Sequence, residues 1–171
     1  RSVVLWSAMI AAFAQRNKHK EAVGCFDEMK KGGVEPDDIA YISLLSSFSH
    51  SGMLYEGENQ FKQMVDEHLV EPSLKHYNCM VDLFGRADHL DMAMALIEEM
   101  PLHPDIVVWH TLLGACQTWK NMYLGKHAFG HALGMDENGV AAYMFMLNMY
   151  TTVSQVDLET KCQGGNVERK T

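Results

Sequence analysis

The chain has 171 residues, of which 47% are hydrophobic, and its formal net charge is −8. This hydrophobic content is enough to bury the core of one domain or one short repeat array, so we expect a folded protein. The acidic balance argues against nonspecific coating of nucleic acid, which needs Lys and Arg to displace counterions from phosphates. Charged residues interrupt every run of about 18 residues, which excludes a membrane span.

The opening residues and the cysteines set two further expectations. The sequence RSVVLWSAMI does not have the basic leader, apolar segment and small-residue cleavage site of a signal peptide, so we expect a fragment whose targeting signal lies outside it. The four cysteines are 54, 37 and 46 residues apart and include no C-x-x-C pair. We therefore expect them to be reduced thiols in the core.

A repeat of roughly 35 residues organises the chain. Aromatic residues recur at steps of 35, 36, 32 and 34 residues, at Trp6, Tyr41, Tyr77, Trp109 and Tyr143. A proline lies five residues before three of these aromatics, and a methionine recurs near the end of the same three units. Self-similarity at this period is typical of solenoids built from stacked repeats.

Each repeat predicts two helices. In the first unit, apolar residues spaced three and four apart predict a helix over 4–15, and the same spacing after the polar RNKHK predicts a second helix over 22–29. The sequence KKGG then favours a helix end, and Pro36 prevents backward continuation of the next helix. No run alternates with period two, so strands are not expected. Such hairpins bury their apolar faces by stacking, which predicts an all-α solenoid with a concave surface.

The successive units carry related motifs. VVLWSAMIAAFAQRNKHKEAVGCFDEMKKGGVEPD fills 3–37, and YISLLSSFSHSGMLYEGENQFKQM with VEPS lies in 38–73. HYNCMVDLFGRA and MPLHPD lie in 74–105, and VVWHTLLGACQTWKNMYLGKHA lies in 106–139. AYMFMLNMY lies near the start of 140–171, whose polar residues from 151 onward we expect to form a disordered tail.

These motifs resemble pentatricopeptide repeats (PPR), and their order resembles the plant PLS subclass. In that resemblance, 3–37 is a P-type repeat, 38–73 an L-type repeat, 74–105 an S-type repeat, 106–139 an E-type motif and 140–171 a partial second E-type motif. It implies a right-handed superhelix of stacked hairpins. It also implies binding of single-stranded organellar RNA, one base per repeat, in a mitochondrion or chloroplast.

The resemblance assigns base recognition to the fifth and the last residue of each unit. The resulting pairs are Ser7 with Asp37, Ile42 with Ser73, and Asn78 with Asp105. Asn with Asp is the family's pair for pyrimidines, with a preference for U, and the small hydroxyl with Asp leans to G. Ile42 has no hydrogen-bonding group, so we expect the second unit to read little.

The second residue of each unit is the position where the family packs side chains between neighbouring bases. These residues are Val4, Ile39 and Lys75, and Lys75 departs from the apolar norm in a way that suits contact with a phosphate. Two simpler readings stay open at the base-recognition positions. Asp37 and Asp105 follow prolines and are suited to capping the next helix, and Asn78 is suited to a solvated helix surface.

The segment 106–150 suggests a protein contact. In some family members a deaminase-like DYW domain follows the E-type motifs, and other members recruit such a domain in trans. The resemblance therefore implies a specificity factor for C-to-U RNA editing. Large apolar residues in this segment are expected to form a surface for a deaminase or another editing factor, with core packing as the alternative for each. They are Trp109, Trp119, Met122, Tyr143, Met144 and Met146.

No catalytic centre is expected. His19 and Glu21 match H-x-E of the zinc deaminases, but no P-C-x-x-C follows them. No H-E-x-x-H, no cluster of His and Cys with ligand spacing, and no Gly-rich phosphate loop occurs. We therefore predict a protein that is not an enzyme and needs no metal or cofactor.

Two rival functions stay open. A tetratricopeptide-like scaffold would bind peptides, although that family keeps a 34-residue period and a Leu-Gly pair after its tryptophan. A dimerisation or docking module is the second rival, with self-association through exposed repeat ends. It is favoured by the acidity of residues 38–105, which hold three Lys or Arg against twelve Asp or Glu and would repel RNA.

Overall fold

The computed structural model describes residues 2–67 and 70–164, with side chains as far as residue 154. Over these residues the chain forms nine α-helices and no strand. The helices are α1 (Val3–Gln15), α2 (His19–Lys31), α3 (Asp38–Ser51), α4 (Leu54–Glu67), α5 (Leu74–Arg86), α6 (Leu90–Glu99), α7 (Ile106–Trp119), α8 (Met122–Met135) and α9 (Val140–Gly164). None of these helices is long and apolar enough to cross a membrane.

The helices form two layers. Consecutive helices pack as hairpins, α1 with α2, α3 with α4, α5 with α6 and α7 with α8. The first helices of the hairpins pack in sequence, α1 on α3, α3 on α5, α5 on α7 and α7 on α9. We call α1, α3, α5, α7 and α9 the first-helix layer. The all-α solenoid predicted from the repeat is confirmed.

The repeated aromatic and methionine positions lie in the core between hairpins. Tyr41 and Met29 are fully buried, and the Tyr41 ring meets Phe26 edge-on at 5.3 Å between centroids. Tyr143 differs, since it is exposed on α9 and contacts Phe129. It occupies the same position in its unit and packs against α8, but in the part of the chain that the structure describes no second helix follows α9 to cover the rest of its ring.

The end of the chain differs from the sequence prediction. A disordered tail was expected from residue 151, whereas α9 continues to Gly164. Residues 151–163 contain neither Gly nor Pro, so nothing in the backbone stops a helix that starts against the core at Val140. The rest of the expected tail, 165–171, lies outside the described residues.

Among the residues whose side chains the structure describes, three cysteines lie within the packed helices and form no disulfide. Cys25 and Cys116 are buried, and Cys79 is half-buried. Burial raises the pKa of Cys116 to about 12, and burial together with the nearby Asp82 carboxylate raises the pKa of Cys79 to about 12. These two thiols are therefore protonated and unreactive near neutral pH. The side chain of Cys162 lies outside the described residues.

Close packing in the first-helix layer depends on glycine. A Cβ atom on Gly85 of α5 would lie 2.6 Å from the Cβ of Ala115 on α7, so the two helices would have to separate. We expect Gly85→Ala to lower the free energy of unfolding by about 1–3 kcal/mol. Gly24 of α2 is the matched control, since a Cβ there meets nothing within 4 Å. Gly24→Ala should raise stability by up to about 1 kcal/mol.

Urea denaturation of the two variants and the parent chain measures both effects. A Gly85→Ala protein as stable as the parent would contradict the close approach of α5 and α7.

Candidate nucleic-acid interface

A row of exposed side chains follows the first turn of four successive first helices. Val4 on α1 is 72% exposed, Ile39 on α3 is 57% exposed and Val107 on α7 is 52% exposed. Lys75 of α5 completes the row and is also exposed. The sequence predicted three of these residues but missed Val107. The sequence contained the information needed to predict Val107, because it is the second residue of the unit 106–139, as Val4, Ile39 and Lys75 are of theirs.

A cavity opens between α5 and α7 at this row. Its volume is about 340 Å³, and its lining includes Ile42, Lys75, Asn78, Asp105 and Val107. This volume lies within the range of roughly 300–1,000 Å³ that is usual for small-ligand sites. The structure therefore brings the predicted pair Asn78 and Asp105 together, between the side chains at the second positions of two units.

The two polar residues of the cavity offer different hydrogen-bonding groups. Asn78 accepts a hydrogen bond at Oδ1 from the Thr111 hydroxyl, at 2.7 Å, and its Nδ2 has no protein partner among the described residues. Asp105 caps α7 by accepting from the Val108 N–H at Oδ1, at 3.0 Å, and its Oδ2 has no protein partner within the same described part. The cavity thus presents one unused donor group and one unused acceptor.

The pair in the first unit is arranged differently. Ser7 is only 2% exposed, and its hydroxyl donates to Asp37 Oδ1 at 2.7 Å. Asp37 also caps α3 by accepting from the Ala40 N–H at 2.9 Å. The packing of α1 on α3 buries Ser7, and contact of Ser7 with a base stays a prediction. In the structure Ser7 holds Asp37, whose second carboxylate oxygen has no protein partner among the described residues.

The second unit does not present a pair of polar side chains to a base. Ile42 is half-buried, and the Ser73 hydroxyl lies 2.9 Å from Nδ1 of the fully buried His76. The Ser73 N–H donates to the same nitrogen at 3.1 Å. Burial lowers the pKa of His76, against the opposing effect of the Asp38 carboxylate, so the neutral ring accepts these bonds. Ser73 is therefore engaged in hydrogen bonds with His76 at the N-terminus of α5.

A second cavity, of about 620 Å³, opens on the same layer near the ends of α3, α5 and α7. Its cation, Arg86, donates from Nε to Asp82 at 2.9 Å, and the Ser49 hydroxyl donates to the same carboxylate oxygen. The charge of Arg86 is largely balanced by Asp82. This cavity therefore adds little net positive charge to the face.

The predicted docking residues separate into two groups. Trp109 is 3% exposed and Met146 is 6% exposed, so both belong to the core, which is the alternative that the sequence left open for each of these residues. The Trp109 ring and the Met146 side chain fill the space between α7, α8 and α9, as the equivalent aromatic residues fill the space between helices in earlier units. Met122 is half-buried. Trp119 is partly exposed, and its indole Nε1 donates to the Gly85 carbonyl at 2.7 Å.

Tyr143 and Met144 are exposed and belong to a longer apolar row on α9. We call this row the α9 stripe, and it consists of Val140, Tyr143, Met144, Leu147 and Tyr150. The sequence prediction missed three of these residues, although their three- and four-residue spacing marks one helix face. No group of three or more His, Cys, Asp or Glu side chains suited to a metal ion occurs in the described residues.

Comparison with known proteins identifies this architecture. A sequence model of the PPR repeat family matches residues 1–50, and models of the PPR repeat match 39–69 and 75–103. Together these matches cover more than half of the chain. The chain belongs to the pentatricopeptide repeat family.

The relatives of this PPR segment are plant proteins. One pentatricopeptide repeat-containing protein of Arabidopsis thaliana is 43% identical over 151 residues, which cover 88% of this chain and 23% of the relative. A relative of Arabidopsis thaliana whose name includes the word mitochondrial is 40% identical, over 88% of this chain and 24% of its own length. A chloroplastic one is 37% identical, over 99% and 20%. The chain therefore spans about a quarter or less of these curated relatives.

Solved structures share the fold of this PPR segment. The crystal structure of maize PPR10 superposes with a TM-score of 0.75 at 21% identity, over 98% of this chain and 24% of PPR10. PPR10 in complex with an 18-nucleotide psaJ RNA element gives a TM-score of 0.80 at 22% identity, over 90% of this chain and 23% of PPR10.

Proposed function

We propose that this PPR segment binds single-stranded RNA along its first-helix layer, as part of a specificity factor for C-to-U RNA editing in a mitochondrion or chloroplast. The observation that carries the proposal is the cavity where Asn78 and Asp105 lie between the exposed Lys75 and Val107. The RNA complex of PPR10, whose fold this chain shares, and the organelles named for two relatives support it.

The hydrogen-bonding groups of the cavity support a preference for U. A base that enters between Lys75 and Val107 places its edge against Asn78 and Asp105. Uracil offers an N–H donor flanked by two carbonyl acceptors. Asp105 Oδ2 accepts from the N–H, and the Asn78 amide donates to a neighbouring carbonyl.

The first unit offers a base an acceptor, the Asp37 carboxylate, but no donor equivalent to the Asn78 amide. Asp37 is the last residue of the first unit, and the exposed Val4 and Ile39 are the second residues of the first and second units. The carboxylate oxygen of Asp37 that Ser7 does not contact suits a base with donors on its edge. Guanine carries two adjacent N–H donor groups there. A leaning to G at this unit follows from Asp37, with Ser7 holding it in place.

The charge of the segment limits its affinity. Residues 38–105 hold three Lys or Arg against twelve Asp or Glu, and Arg86 is paired with Asp82. Base-edge contacts contribute roughly 1–3 kcal/mol of discrimination each. We therefore propose that this segment adds selectivity, and that the tight binding of the longer protein comes from its other repeats.

A pair of valine variants tests RNA binding on this face. Val107→Glu places a negative charge in the row, where an RNA phosphate or base would approach, and we expect the Kd for a short single-stranded RNA to rise about tenfold. Val65→Glu makes the same change on α4, in the other layer, and should leave the Kd within about twofold. Fluorescence anisotropy at low salt measures both.

Equal weakening by the two variants would mean that only total charge matters. That result would contradict binding along the first-helix layer.

The α9 stripe supports the second part of the proposal. It is an apolar helix face on α9, which packs on α7, and it suits contact with a DYW-type deaminase domain or another editing factor in trans. It also favours the rival function, a protein-interaction scaffold that does not read RNA. The valine pair separates the two functions, because a scaffold would not respond to Val107→Glu in an RNA titration.

A further inference from the structure

The base-facing amide of Asn78 is held by a residue of the next unit. Thr111, on α7, lies at hydrogen-bond distance from two atoms: its Oγ1 is 2.7 Å from Asn78 Oδ1 and 2.9 Å from the Val107 carbonyl oxygen. Asn78 is on α5, so the contact crosses from one hairpin to the next. No other described residue has a hydrogen bond to the Asn78 amide.

This contact decides which end of the amide faces the cavity. The Asn78 amide can turn by half a rotation, which exchanges its oxygen and its nitrogen. The Thr111 hydroxyl has one proton, and the shorter of its two contacts is the one to Asn78 Oδ1, which can only accept. With that proton donated to Oδ1, the NH₂ group is the part left for a ligand. Asp105 supplies the acceptor beside it. The two residues then form a donor next to an acceptor.

Loss of the hydroxyl would remove this constraint. The amide would be able to place its oxygen toward the cavity, beside the Asp105 carboxylate, which gives two acceptors side by side. That arrangement does not match the edge of uracil, on which one donor lies between two acceptors.

We propose that Thr111 is a positioning residue for base selection, which fixes the orientation of the Asn78 amide without contacting the base. The inference rests on the proposed RNA binding. It means that base choice at this site is set by three side chains, of which one comes from the unit 106–139. The fifth and last residues of a unit are then insufficient to state its preference.

Two substitutions at Thr111 test this. Thr111→Val keeps the shape of the side chain but removes the hydroxyl, and Thr111→Ser restores it. The full chain is titrated with single-stranded homopolymers of U, C and A, each of about ten nucleotides, so that binding register does not matter. We expect Thr111→Val to reduce the ratio of affinities for U over C and A by about five- to tenfold. Thr111→Ser should retain it.

A second readout needs no RNA. In the free chain, the side-chain amide resonances of Asn78 should shift in Thr111→Val and return toward their original positions in Thr111→Ser. Unchanged resonances together with an unchanged preference for U would overturn the role of Thr111 and leave the proposed RNA reading intact. A parent chain that binds all three RNAs equally would overturn the RNA reading itself, and this inference with it.

Discussion

Asn78→Ala is expected to abolish the preference for U at the third unit. The substitution removes the only donor group that the pair offers, since the Asp105 carboxylate can only accept. We expect affinity for U-containing single-stranded RNA to fall by about tenfold or more, and affinity for RNA without U to change little. Titration with matched RNAs that differ in this base measures both effects.

Asn59→Ala provides the control for this experiment. Asn59 is exposed on α4, in the layer away from the proposed interface, so its loss should not change either affinity. If Asn78→Ala and Asn59→Ala behave alike, Asn78 is only a solvated surface residue and the assignment of the base-reading pair fails.

Asp105→Asn separates the two roles of Asp105. Asn caps helices about as well as Asp, so the cap on Val108 should survive and stability should stay within about 0.5 kcal/mol. The oxygen that faces the cavity, however, is replaced by an NH₂ group, which cannot accept from the uracil N–H. We expect the preference for U to be lost while the fold is unchanged.

Asp105→Ala removes both roles at once. It should cost about 0.5–2 kcal/mol of stability, through the lost cap of α7, in addition to the lost preference. Urea denaturation and RNA titration of the two variants together distinguish the roles. An Asp105→Asn protein that still prefers U would show that Asp105 is a helix cap alone.

Much of the architecture was accessible from the sequence because it follows from periodicity. The spacing of Tyr41, Tyr77 and Trp109 located the hairpins and their shared core, since side chains at one phase of a repeat meet the same neighbours. The resemblance to pentatricopeptide repeats paired Asn78 with Asp105, and in the structure both residues line one cavity. Val107 was also accessible from the repeat in principle, because it has the position of Val4 and Ile39.

The remaining features depend on contacts between units, which periodicity does not specify. Ser7 is buried by the packing of α1 on α3, and nothing in its own unit distinguishes it from an accessible residue. Trp109 and Met146 are large apolar residues like Tyr143 and Met144, and only the position of α8 and α9 divides core from surface. The bond from Thr111 to Asn78 requires the distance between two helices and is invisible in either unit alone.

The central claim is that RNA contacts the first-helix layer, and methyl NMR tests it most directly. The chain would carry labelled methyl groups on Val, Ile and Leu and be titrated with short single-stranded RNA at low salt. We predict that the methyl resonances of Val4, Ile39 and Val107 shift, while those of Val65 on α4 stay in place. Shifts confined to Val65 or to the α9 stripe, or no shifts at all, would contradict binding at the row formed by Val4, Ile39, Lys75 and Val107.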